Sequence, residues 1–302
     1  MKARELWLFA TLWSLREYPA RNREWSWERK FEAIRRAGFD GVMSPPRPEL
    51  ARRGALRYLA ITSVRTCGAV RPVLAAAHDL GAQGIGVQLG APGLPLAAAL
   101  RLAERIHTEA GRLRLPYAVE THRATFTELP EHLVALRAAF RRRVGAALPV
   151  CLDFSHVALV RHLAPERIWP ALTRLPGFLS AARQLHLRPS NGHHAQLPVC
   201  SAAGPPTPEY RAWRDGFARP LLHRLAILRS SAPLIAVPEL GHAAPSYGLS
   251  THGDTWREVL HVTRDLRRIW REAGGAPPAA ARLTTPGSRP AGTAREAPGS
   301  GA

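Results

Sequence analysis

Four short stretches of this sequence end in side chains that bind cations or move protons. They are Ala118-Val119-Glu120-Thr121-His122, Leu152-Asp153-Phe154-Ser155-His156, Leu185-His186-Leu187-Arg188 and Val237-Pro238-Glu239-Leu240. Each places a carboxylate or an imidazole at the end of a short apolar run of the kind that forms a strand. Successive stretches are at least one βα unit apart, and such a unit takes ~30 residues or more. A single carboxylate at a strand end reads as a helix N-cap, and a single His as a satisfied core group. Three carboxylates and one imidazole on four successive strands read as a ligand set for one divalent cation. Oxygen-rich ligation with one nitrogen favours Mn2+, Mg2+ or Co2+ and also accommodates Zn2+. The set contains no thiolate, which argues against a closed structural zinc site.

The pattern around these residues predicts the elements that must hold them. Strands are expected over Glu5–Trp13, Gly41–Ser44, Leu56–Val64, Gly84–Leu89, Pro116–Thr121, Pro149–Phe154, Gln184–Leu187 and Leu234–Glu239. Helices are expected over Trp27–Ala37, Val70–Leu80, Leu94–Leu113, Leu129–Val144, Pro165–Leu172, Pro208–Leu228 and Asp254–Glu272, with Gly38 stopping the first. Only Pro48–Ala55 is available for the helix after the second strand. Eight strands alternating with helices predict an α/β fold, a (β/α)8 TIM barrel in one domain over residues 1–273. A doubly wound open sheet is the alternative. It loses its main support because no GxGxxG follows the first strand and no GxxxxGK[ST] occurs. Residues 274–302 are rich in Pro, Gly and Ala without apolar periodicity and are expected to form a disordered tail.

Function in such a barrel sits at the C-terminal ends of the strands. Arg188, two residues after His186, is placed to hold a substrate oxygen or phosphate or to pair with a site carboxylate. His122 shares the face of Glu120 and extends the polar rim. His193, in the polar loop Ser190-Asn191-Gly192-His193-His194-Ala195-Gln196, is a candidate substrate contact or lid residue. Gln88, at the end of the fourth strand, could reach the pocket, and Trp13, at the end of the first, could form an apolar wall.

The four stretches, with Pro238-Glu239-Leu240-Gly241 and the early Ala37-Gly38-Phe39-Asp40-Gly41-Val42, resemble the motifs of the xylose-isomerase-like TIM barrels. More narrowly they are similar to the sugar phosphate isomerase/epimerase family, from about Glu5 to Trp270. The resemblance implies that Glu120, Asp153, His186 and Glu239 ligate one divalent metal ion. It implies that His156 helps bind substrate or a second ion and that Gln196 is a substrate contact or lid residue, and that Glu120 and Glu239 are the catalytic pair, taking a proton from one face of a carbon and returning one to the other. The implied activity is that of a metal-dependent sugar, sugar phosphate or keto-acid isomerase or epimerase, working by proton transfer through a metal-stabilised enediolate.

Lys and Arg total 42 against 23 Asp and Glu, a formal net charge of +19, and only Lys2 and Lys30 are lysines. A balance this basic points to a polyanion. It raises the alternative of an endonuclease acting at abasic sites in DNA, a member of the same superfamily with extra histidines on earlier strands. Here the second, third and fourth strands end at Ser44, Val64 and Leu89-Gly90 without a His, so nucleic acid is not the expected partner. A catalytically inactive barrel used for binding is the other alternative. The expected partner is a small molecule, with a homo-oligomer compatible with the reading. Three cysteines without a CxxC, a poor signal peptide and no long apolar run lead to a cytoplasmic expectation with no membrane contact.

Overall fold

The structure is a computed structural model that describes residues 3–201, 204–228, 232–241 and 252–276. The eight strands are β1 (Leu6–Thr11), β2 (Gly41–Ser44), β3 (Arg57–Val64), β4 (Gly84–Leu89), β5 (Tyr117–Glu120), β6 (Val150–Asp153), β7 (Ala182–His186) and β8 (Leu234–Val237). All pair in parallel, in sequence order, and β8 closes on β1. The expected (β/α)8 barrel is therefore the fold.

The helices are α1 (Trp27–Arg36), α2 (Cys67–Asp79), α3 (Leu96–Leu113), α4 (Pro130–Val144), α5 (Phe154–Val160), α6 (Pro165–Thr173), α7 (Phe178–Ala181), α8 (Pro208–Trp213), α9 (Arg219–Ile227) and α10 (Thr255–Glu272). Between β2 and β3 there is only a 3-10 turn, Pro48–Arg52, as its short sequence requires. The helix expected over Pro208–Leu228 is interrupted by a π turn at Arg214–Ala218. Pro220 follows this turn and has no N–H to continue the α-helical ladder. The small helices α5 and α7 were not expected from periodicity, being too short to show one. Trp13 lies in a 3-10 turn, Leu12–Leu15, and not in the first strand.

Residues 274–276 are not part of a tail. Ala276 donates to Arg4 O at 3.0 Å and bridges Glu5, and the Trp270 indole donates to Ala276 O at 3.1 Å. The remainder of the expected tail lies outside the described residues. Among the described residues no helix is long and apolar enough to cross a membrane.

Alternation along each strand divides the core in two. Outward residues such as Leu8, Val42, Tyr58, Ile85, Val119 and Leu185 pack under the helices in one large cluster. Inward residues Phe9, Met43, Leu59 and Val237, with Trp7, Ile61 and Ile235, plug the barrel. On β4 the inward positions Gly84 and Gly86 carry no side chain, and the Gln184 amide fills that space. The polar site lies above this plug.

Candidate metal centre

Strand parity brings the four expected ligands together. Glu120 and Asp153 end β5 and β6, His186 ends β7, and Glu239 lies two residues beyond β8. All four are buried, and one ligand atom from each lies within 4.8 Å of all the others. The His186 Nδ1 lies 2.8 Å from Glu120 Oε1 and 3.1 Å from Glu239 Oε2, so both glutamates converge on one ring nitrogen.

His186 points inward because of a single irregularity. Val150 pairs with Ala182, but Cys151 pairs with Gln184, so β7 carries one extra residue at Arg183. Beyond it Asp153 is the register partner of His186. Without the bulge Asp153 would face Leu185, and His186 would turn out toward the helices, because a one-residue slip reverses the face of every side chain.

The carboxylates are held by their surroundings. Asp153 is the N-cap of α5: its Oδ1 accepts from Ser155 N at 2.9 Å and from Ser155 Oγ at 2.5 Å. Its Oδ2 turns toward Arg188 Nη2 at 3.3 Å and His156 Nε2 at 3.4 Å. Capping and the contacts with Arg188 and His156 thus use different oxygens of one side chain. Thr121 Oγ1 donates to Asp153 O and accepts from Asp153 N, tying β5 to β6. Thr127 Oγ1 donates to Glu120 O. Arg188 contacts Glu239 Oε1 through Nη2 at 2.9 Å and Glu239 O through Nε at 3.3 Å. Its guanidinium carbon lies 5.5 Å from the centre of the Trp13 ring. Gly241 packs directly on that ring, where any Cβ would collide with the indole.

Burial alone would raise the carboxyls, yet the Arg188 guanidinium and nearby imidazoles hold Asp153 and Glu239 below the usual carboxylate range. Burial likewise opposes the charge on His186, but Cys151, Glu120 and Glu239 together push it well above an ordinary histidine. His156 is pushed down to about 3, mainly by burial, and is neutral near pH 7. Cys151, fully buried beside His186, is pushed up to about 12, mainly by burial.

The residues fit a divalent cation. Glu120 Oε2 is buried and takes no hydrogen bond, while Asp153 Oδ2 and Glu239 Oε2 are buried with ion-pair contacts to Arg188 and His156 and to His186. Buried polar atoms left so are costly, and one ligand supplying several bonds at once removes the cost. No other group of this kind occurs among the described residues.

Solved structures share this architecture. An L-ribulose 3-epimerase matches at a TM-score of 0.57 with 12% identity, covering 90% of this chain and 97% of that one. A D-tagatose 3-epimerase-like protein matches at 0.57 with 14% identity, covering 90% and 100%. A D-allulose 3-epimerase from Methylomonas sp., in complex with D-allulose, matches at 0.51 with 13% identity, covering 91% and 96%. This is the fold of the sugar 3-epimerases. At such identities the likeness establishes architecture. No protein-family model and no curated protein matches the sequence.

Within this barrel the remaining expected residues part company. His156 and Arg188 border the cluster, and His122 meets His156 edge to face with ring centres 4.4 Å apart. Gln88 is inward on β4 and accepts from Ser63 Oγ at 2.6 Å, on the half of the mouth away from the cluster. His193 is exposed and lies beside His162, with ring centres 6.3 Å apart. Gln196, expected at the substrate, has its amide taken up by backbone: Nε2 donates to Gly241 O at 2.9 Å and Oε1 accepts from Gly241 N at 3.0 Å. It latches the loop after β7 to the loop after β8. Ser155, Thr121, Thr127 and Cys151, which support the ligands, were not singled out from sequence. Only Asp153-Phe154-Ser155, an Asp two residues before a Ser at a helix start, carried a readable signal.

Proposed function

We propose that this chain is a divalent-metal-dependent sugar isomerase or epimerase that moves a proton next to a carbonyl. The observation that carries the reading is the buried convergence of Glu120, Asp153, His186 and Glu239, one ligand atom of each lying within 4.8 Å of the others. Architectural likeness to proteins named for epimerising ketoses supports the substrate class. The four residues would hold the cation, for which Mn2+, Mg2+ or Co2+ suits an oxygen-rich set. When bound, the cation supplies Lewis-acid stabilisation of charge developing on a substrate oxygen.

The chain's own groups do the rest. Glu120 comes from β5 and Glu239 from beyond β8, the two flanks of the cluster, so two carboxylates are available to one substrate carbon. Glu239 is held ionised near pH 7, the protonation state in which a base must start. His156, neutral because buried, offers a hydrogen bond to a substrate hydroxyl without adding charge. Arg188 fixes the Glu239 and Asp153 carboxylates and presents a cation to substrate oxygens. Trp13 walls the site.

The test begins with elemental analysis of the purified protein, followed by a panel of ketoses, ketose phosphates and keto acids with Mn2+, Mg2+ or Co2+ added. One ion per chain and turnover of a ketose are expected. Glu120→Gln and Glu239→Gln should each abolish that turnover while leaving the circular dichroism spectrum of the folded protein unchanged. Near-wild-type turnover in either variant excludes the paired proton transfer.

A further inference from the structure

A cavity of about 610 Å3 opens at the end of the barrel opposite the ligand cluster. It is lined where β4, β5, β7 and β8 begin, and by the C-terminal part of α3. Its volume is that of a small-molecule site, about 300–1,000 Å3. Trp7 and Ile235 of the barrel plug also line it, so the plug separates this cavity from the candidate metal centre. The Trp7 ring is fixed, because its Nε1 donates to Glu5 Oε2 at 2.9 Å.

One polar group inside the cavity has no partner. Gln184 is 3% exposed, lines the cavity, and carries an Oε1 that takes no hydrogen bond. Its amide sits in the space left by Gly84 and Gly86. A buried amide atom left unpaired is costly. The amide can turn end for end, so it offers an entering group either a donor or an acceptor. The Tyr117 hydroxyl, in the same wall, is already engaged by His107 Nδ1 at 3.1 Å.

The rim is basic. Arg114 and Arg183 line the cavity and are exposed. No carboxylate is among the lining residues, and among the described residues neither arginine forms an ion pair. Arg183 donates from Nη1 to Ser180 O at 2.9 Å and to Ala182 O at 3.2 Å, which leaves the rest of its fork for a ligand. Arg4 adds a third cation. It is 5% exposed, donates from Nε to Ala232 O in the cavity wall at 3.2 Å, and holds a buried Nη2 that takes no hydrogen bond. Burial and the charge of Arg183 hold it down to about 10. An anion at this rim relieves repulsion among guanidiniums that no carboxylate relieves, and the apolar walls strengthen the attraction.

We infer that this cavity is a second ligand site, for a small aromatic carboxylate with a hydroxyl at its far end. The carboxylate meets Arg114 and Arg183 at the rim, where the planar guanidinium fork matches its two oxygens. The ring lies against Trp7 and Tyr117, and the hydroxyl reaches the Gln184 amide. The site needs neither metal nor turnover and stands apart from the isomerase reading.

The test is a calorimetric titration of the full chain, in EDTA, with three probes. They are 3-(4-hydroxyphenyl)propanoate, 3-phenylpropanoate, which lacks the hydroxyl, and 4-(3-hydroxypropyl)phenol, which lacks the charge. The first should bind about tenfold or more tightly than the neutral phenol, the worth of one charge-assisted hydrogen bond, and about fivefold more tightly than 3-phenylpropanoate, the worth of a neutral one. Gln184→Met should erase the fivefold advantage and leave 3-phenylpropanoate binding as before. The double variant Arg114→Met/Arg183→Met should erase the tenfold one. Both arginines are exposed, so this variant tests the site even if Gln184→Met does not fold. Arg47→Met, just beyond β2 at the opposite mouth, is the control for overall charge and should bind like wild type. Absence of saturable binding of 3-(4-hydroxyphenyl)propanoate overturns the inference. So does equal affinity for the acid and the neutral phenol, a fivefold advantage that survives Gln184→Met, or an equal loss in the Arg47 control.

Discussion

At the scale of single residues, Arg188 connects stability to chemistry. It is buried and touches two of the four ligand carboxylates. Removing one partner of a buried ion pair leaves uncompensated charge and costs about 3–5 kcal/mol. Arg188→Met should therefore unfold at clearly lower denaturant concentration in EDTA, and Mn2+ should restore part of the loss by supplying another cation. Equal stability of variant and wild type in EDTA would show that the guanidinium does not hold these carboxylates. A pH signature follows from the same contacts. Asp153 and Glu239 are depressed from ordinary values of 3.8 and 4.5. Their contribution is fully present above those ordinary values and is lost as pH falls through the lower folded-state values. Metal-free wild-type protein should lose stability as pH drops below about 4, and this acid limb should flatten in Arg188→Met, as followed by urea denaturation at a series of pH values.

At the scale of elements, the mouth is shaped by contacts between loops. Gln196 bonds both the N–H and the C=O of Gly241, and Ser14 Oγ donates to the neighbouring Leu240 O. These bonds fix the segment that carries Glu239 against the turn that carries Trp13. Gln196→Ala should lower unfolding free energy by about 1–3 kcal/mol, the cost of leaving buried backbone groups unpaired. It should also weaken metal binding, because Glu239 loses its fixed backbone. A variant of unchanged metal affinity, measured by calorimetry, would limit Gln196 to a purely stabilising part. The bulge at Arg183 belongs to this scale too. The residues of β7 read as an ordinary short strand, and nothing in Ala182-Arg183-Gln184-Leu185-His186 announces the extra residue that aims His186 at Asp153.

For the molecule as a whole, ligand binding should appear as stability. A cation that binds only the folded barrel contributes about 2.7 kcal/mol at one hundred times its Kd. For a domain of this size that is a rise in Tm of about 5–10 °C. Mn2+ should produce it in the wild type, EDTA should reverse it, and Asp153→Asn should lack it. An unchanged Tm at saturating Mn2+ would remove the metal from the reading. The net charge of +19 is the loudest feature of the composition and the least local one. Ion pairs such as Arg35 and Arg36 with Glu32, and Arg105 and Arg112 with Glu109, use part of it on helix surfaces. What matters for a ligand is where cations concentrate beside a cavity.

The order of strands, the barrel and the convergence of Glu120, Asp153, His186 and Glu239 were legible in the sequence. Strand periodicity and the repeat of βα units are local properties, and parallel closure puts successive strand ends at one mouth. The outcome for individual polar residues was not. Gln196 sat in the right loop but spends its amide on Gly241, and Trp13 left the strand for a 3-10 turn that places its ring under Arg188. Nor could spacing show that Arg114 and Arg183, from two segments, line one cavity with Trp7 and Gln184. Local pattern determines which elements form and which face each residue takes. Only tertiary packing decides which side chains from distant segments meet, because that depends on register, on one bulged residue and on how the loops fold over the mouth.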